Sequence, residues 1–145
     1  PGGSHVRRKA EKIQLGGPLR KAGEYLESAR HNLKVGRLFP AAEEVFRSVE
    51  TTLEALLYHY GVRRIEYPGG SKRFTGRLAL QFLVRDTLLS GRRIDRKAYD
   101  KYMALASELH LAGYRPRKVF PRKELQDDLG FAEDLLIRAR SIIRV

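Results

Sequence analysis

Apolar residues recur at helical spacing along almost the whole chain, and this pattern limits what the chain can fold into. In "PRKELQDDLGFAEDLLIRARSIIRV" the residues Leu125, Leu129, Ala132, Leu136, Ala139 and Ile143 step by four, three, four, three and four. That spacing makes one stripe on a long helix. Pro121 suits its first turn, Glu124, Asp127 and Asp128 fall early, and Arg138, Arg140 and Arg144 fall late. This charge order complements a helix dipole. In "FPAAEEVFRSVETTLEALLYHYG" the stripe is Ala42, Phe46, Val49, Leu53, Leu56 and Tyr60, with Pro40 near the start and Gly61 at the end. An earlier helix carries Ala22, Tyr25, Leu26, Ala29 and Leu33 and stops at Gly36. A third covers about Thr75 to Ser90, with Leu80, Leu83, Val84 and Leu88 inward. A fourth follows Asp95, a good N-cap, and carries Tyr99, Tyr102, Met103, Ala106 and Leu109.

No segment sustains the alternation of a strand and there is no internal repeat. The expectation is an all-α, up-and-down antiparallel bundle of four to five helices. Residues 18–145 form the single domain, and residues 1–17 are a basic, flexible segment ahead of it. The longest connection, Gly61 to Phe74, holds Pro68, Gly69 and Gly70 and reads as a loop. Its "PGGSKR" lacks the spacing of a phosphate-binding P-loop, and no strand precedes it.

The formal net charge is +12, and arginine outnumbers lysine about two to one. Such an excess attracts polyanions, and arginine forks hold phosphate in a bidentate way. There is no cysteine, which excludes disulfides and thiolate metal sites. The four histidines are scattered, so neither a metal nor any other cofactor is expected. No apolar run approaches the roughly 20 residues of a membrane helix. The basic start "PGGSHVRRKAEK" is not followed by the apolar stretch of a secretory signal. A cytoplasmic protein without membrane contact is expected.

Strict alternation would bring three segments to one end of the bundle: the loop after the second helix, the loop after the fourth, and the start of the first. The first of these holds Arg63, Arg64, Lys72 and Arg73, with Arg77 just beyond. The second holds Tyr114, Arg115, Arg117 and Lys118, with Arg122 and Lys123 opening the last helix. Tyr67, Phe74, Tyr114 and Phe120 interleave rings with the charge, as single-stranded nucleic-acid sites do. Arg63, Arg64, Lys72, Arg73, Arg77, Tyr114, Arg115, Arg117, Lys118 and Arg122 are therefore the expected phosphate-binding set. The cluster "GRRIDRK" falls, on the same alternation, at the opposite end. The alternative is that the rings cover the end of the bundle and the arginines are solvated partners of acidic neighbours.

"YLESARHNLKVGRLFPAAEEVFRSVETTLEALLYHYGV" resembles the first helical hairpin of HEPN domains, with Glu50, Leu53, Ala55, Leu56 and Leu57 at its core. "YRPRKVFPRKELQDDLGFAEDLLIRARSII" is similar to that family's arginine- and proline-containing loop and last helix. The resemblance implies a helical bundle, often a homodimer, many members being encoded beside a minimal nucleotidyltransferase and others being metal-free endoribonucleases. Catalytic members carry an arginine, then four to six residues, then a histidine. Here the positions before His110 are Met103, Ala104 and Leu105, and neither His59 nor His31 has the arginine either. His110 is left as a weak catalytic candidate, because general acid–base chemistry needs a second positioned partner. The resemblance also offers Glu50 as a partner for an arginine, in the bundle or across a dimer, the alternative being an ordinary helix-face carboxylate. The function expected is a non-catalytic module that holds RNA or nucleotide phosphates and acts with a nucleotidyltransferase. The alternatives are a divergent endoribonuclease that uses His110, or a dimeric interaction or antitoxin-type protein. Leu56, Leu57, Ile142 and Ile143 widen their helices' apolar faces, and either a dimer surface or an ordinary core would explain them.

Overall fold

The computed structural model describes residues 2–114 and 119–144, with side chains for 16–112 and 119–144. Five helices make up most of it: α1 (Gly2–Lys34), α2 (Leu38–His59), α3 (Gly76–Leu83), α4 (Arg96–Tyr114) and α5 (Arg122–Ile143). The all-α bundle is therefore as the apolar stripes require. None of the described helices is long and apolar enough to cross a membrane. α1 begins at Gly2, so the segment expected to precede the bundle as a flexible leader continues α1 as helix. "RRKAEKIQL" consists largely of strong helix formers, and the helix passes through Pro18.

α1 and α2 form an antiparallel hairpin. Gly36 closes α1 at φ 82°, with Gly36 N–H donating to Leu33 O and Arg37 N–H to Asn32 O at 3.2 and 2.8 Å. This is a Schellman motif, which satisfies the last carbonyls of a helix and favours glycine at its left-handed position. α2 ends the same way, with Gly61 at φ 100°. α5 lies antiparallel to α1: Arg30 meets Glu133 at 2.8 Å, and Arg122 Nη1 donates to Leu33 O at 2.7 Å. α4 is antiparallel to α5 and α2. The Tyr102 ring stacks on Phe46, and Ala112 joins Leu33, Ala41 and Leu125 in a small apolar cluster.

The sequence reading is corrected in the connection after α2. Residues expected as a loop form a β-hairpin, β1 (Glu66–Gly69) paired antiparallel with β2 (Lys72–Thr75) around Gly70 and Ser71. The hairpin packs on α3 through Phe82, whose ring lies 4.9 Å from Tyr67 and 5.7 Å from Phe74. It carries the chain back along the bundle, so α3 starts beside Phe46 and Glu50, where Arg77 reaches Glu50 at 3.3 Å. α3 then runs parallel to the second half of α2. It continues into a π-helical turn, Val84–Leu89, which ends where Arg93 lies over Tyr60. From α3 onward every helix is inverted relative to strict alternation. The start of α5 therefore lies at the α1–α2 turn, and the end of α2 lies at the other end of the bundle.

α2 is the central element, with α1, α5, α4 and the π-helical turn packed around it. Leu56 and Leu57 are both buried within the one chain, as is Ile143, and Ile142 packs against the same core. Their breadth is that of an enclosed helix and supplies no free apolar face.

Candidate functional site

Leu88 and Ile94 are buried, and between them the chain must turn from the π-helical segment into α4. Arg92 N–H donates to Leu89 O at 3.0 Å and Arg93 N–H to Leu88 O at 2.8 Å, a third Schellman motif. Its left-handed position is filled by Arg92 at φ 57°, where α1 and α2 use glycine. A side chain there strains the backbone by about 1 kcal/mol or more. Gly91 before it is required by space, because a Cβ would stand 2.5 Å from the Thr87 carbonyl oxygen. Asp95 then caps α4, accepting from Ala98 N–H at 2.7 Å.

With both apolar residues pinned inward, this short turn throws three guanidiniums outward. Arg92, Arg93 and Arg96, joined by Arg138 from α5, line a cavity of about 430 Å³ together with Asp95, Leu89 and Ile94. Four arginines and one aspartate thus share its lining. Arg93 lies 4.3 Å over the Tyr60 ring, which fixes its plane and leaves its N–H edges open to donate. Arg96 meets Asp100 at 3.0 Å, and Arg138 approaches Asp95 at 4.0 Å. These are exposed pairs, each worth about 1 kcal/mol or less, and they yield readily to a bidentate anion. The chain leaving α2 adds Arg63 and Arg64, both exposed, three and four residues beyond Tyr60.

The sequence-expected set does not converge. Arg63 and Arg64 stand at the end of the bundle that holds the arginine cavity. Lys72 and Arg73 are exposed on β2, and Arg73 meets Glu66 at 3.1 Å. Arg77 pairs with Glu50 and lies over the Phe46 ring at 5.3 Å, so Glu50 finds its arginine within the bundle. Arg122 is at the opposite end, tying α5 to the last carbonyls of α1. His110 is exposed near that end of α4. Tyr114 is described in backbone only, and Arg115, Arg117 and Lys118 lie outside the described residues. Tyr67 donates to Asp86 and packs on Phe82, and Phe120 is buried against Phe39, so these rings serve packing. Arg92, Arg93, Arg96 and Arg138 were missed as a site. "GRRIDRK" was visible, but alternation assigned it to the wrong end.

A polar interior lies apart from this surface. Burial raises the Glu50 carboxyl above its ordinary value, against the pull of Arg77. Burial likewise raises Glu54, against Lys21, and Asp128, against Lys101. The buried Tyr102 hydroxyl faces this group without a hydrogen-bond partner among the described residues, and burial pushes its titration up. Each of the three carboxyls holds its proton more tightly in the folded chain than in the unfolded one. Their contribution to stability is fully present below the usual carboxylate range and is lost as pH rises through the raised folded values. The thermal midpoint is therefore expected to rise as pH falls from about 7 toward the carboxylate range near 4.5, and to rise less in Glu50→Gln. Calorimetry across that range checks it. Asp86, held low by hydrogen bonds from Arg85 and Tyr67, titrates below the window.

No protein-family model matches the chain, and a comparison with curated proteins finds no match.

Proposed function

We propose that this chain is a non-catalytic, HEPN-like bundle that holds RNA or nucleotide phosphates on a basic end. Binding is centred on Arg92, Arg93, Arg96 and Arg138 and extended by Arg63 and Arg64. The single observation that carries this reading is the concave site whose lining holds four arginines and one aspartate. Guanidinium forks match phosphate oxygens, and the N-terminal dipole of α4 adds to their field. The resemblance to HEPN domains supports the remainder of the reading, a minimal nucleotidyltransferase as partner.

The cavity offers little for proton transfer. Asp95 is engaged as the α4 cap, and no histidine lines the site. His110 is fourteen residues along α4 from Arg96, which at 1.5 Å per residue is about 21 Å away. A hydrolytic centre needs its acid and base within hydrogen-bond reach of one substrate.

The test is fluorescence anisotropy with a labelled single-stranded RNA across a salt series, with the recovered RNA run on a gel. With about four phosphates neutralised, the expected log–log slope is about −3, and the RNA is recovered intact. Absence of binding at low salt would remove this reading. Cleavage in the presence of a chelator would replace it with the endoribonuclease.

A further inference from the structure

We infer that the arginine cavity takes a terminal phosphomonoester, the charged end of an RNA strand or nucleotide, and not an internal phosphodiester. This rests on the phosphate-binding reading above and adds which phosphate is read.

The first observation is the charge boundary beside the cavity. A groove of about 900 Å³ runs between α4 and α5 and shares Asp95 and Arg138 with it. Asp95, Asp100, Asp127 and Asp134 line that groove against Lys97, Lys101 and Arg138. Lys101 is held by the buried Asp128, Asp100 by Arg96, and Asp95 faces Arg138, which leaves Asp127 and Asp134 against Lys97, an excess of one carboxylate. A phosphate chain entering the groove meets like charge at short range. The chain leaving α2 carries the exposed Arg64 at this same end of the bundle. An internal phosphodiester must continue on both sides of its binding site, and on the groove side it meets carboxylates. A strand end needs only the other side.

The second observation is the concentration of guanidiniums. A track that follows a backbone spaces its cations along a groove. Here four arginines crowd one cavity at a tight turn. A monoester carries close to two negative charges at neutral pH and three terminal oxygens, so it engages several forks at once, whereas a diester offers one charge and two such oxygens. The third is Arg92 itself. Two other helix ends in this chain place Gly36 and Gly61 at the left-handed position, whereas this one holds an arginine at φ 57°, as the end of α5 does with Arg144 at φ 62°. Backbone strain of this kind persists where the surrounding fold enforces it and collects at functional sites.

The experiment compares three RNAs of one sequence, with a 5′-monophosphate, a 3′-monophosphate, or hydroxyls at both ends, by anisotropy at fixed salt. At least one phosphorylated form is expected to bind about tenfold more tightly than the hydroxyl form. Which one does so gives the direction of the strand. The preference should shrink as pH falls through about 6, where the monoester dianion takes up a proton and becomes a monoanion. Arg92→Asn should abolish it without unfolding the chain, because asparagine tolerates the left-handed conformation. Asp127→Asn combined with Asp134→Asn should instead narrow it, by admitting phosphates to the groove. Equal, salt-sensitive binding of all three RNAs would overturn the inference and leave the phosphate-binding function standing. Failure of every RNA to bind at low salt would overturn both. A preference that survives Arg92→Asn would show that the end is read elsewhere.

Discussion

Arg93→Glu combined with Arg96→Glu is expected to weaken binding of single-stranded RNA about a hundredfold at moderate salt and to flatten the log–log salt slope by about 1.5. Two guanidiniums leave the cavity, and two carboxylates join Asp95 in it. Each lost phosphate contact removes about 0.7 from the slope for a single strand. The variant should stay folded. Arg93 forfeits its contact with the Tyr60 ring, worth about 0.5–1 kcal/mol at an exposed site, and Arg96 loses an exposed i,i+4 pair. Lys123→Glu combined with Arg122→Glu is the charge-matched control, because it reverses two exposed charges on the first turn of α5, at the other end of the bundle. It lowers the overall field as much but touches nothing in the cavity. A loss in this control as large as in the Arg93→Glu, Arg96→Glu variant would mean that net charge, or the other end, carries the binding. Anisotropy for affinity and circular dichroism for fold separate these outcomes.

The control is informative because sequence reasoning and structure place the charge differently. The helices were legible from spacing alone. The stripe of α5, the Asp95 cap of α4 and the glycine stops after α1 and α2 all depend on local chemistry that a sequence displays directly. The hairpin did not announce itself. β2 is exposed throughout, so it has no buried face to impose alternation, and Pro68, Gly69 and Gly70 read as loop. Its pairing comes from Tyr67 and Phe74 packing on Phe82, a contact between segments that no local pattern encodes. One unread hairpin inverted three helices. It moved Arg122 away from Arg63 and brought "GRRIDRK" to the end of α2. The arginine cavity was therefore written in the sequence as composition, while its place was set by a tertiary contact. The left-handed Arg92 was not legible either, since nothing in "SGRRID" tells that the turn falls on the arginine and not on Gly91.

Leu57→Ala is expected to destabilise the chain by about 3 kcal/mol and to lower the thermal midpoint by about 10 °C. Leu57 lies beside the main stripe of α2, adjacent to Leu56, and on a two-layer helix it would face outward. The structure encloses it completely at 0 % exposure, because the π-helical turn and α4 cover the side of α2 that α1 and α5 leave open. Truncation leaves a cavity bounded by packed helices on all sides, which relaxes poorly, so the cost should lie well inside the 2–5 kcal/mol range of buried leucines. The alternative origin for a wide apolar face is a dimer surface, and the two make different predictions. If Leu57 served an interface, its truncation would shift the monomer–dimer balance, and the midpoint would depend on protein concentration. If it serves the core, the loss is the same at every concentration, with the denaturant m-value unchanged. Chemical denaturation at two concentrations a hundredfold apart distinguishes them. The enclosed position of α2 requires the second result.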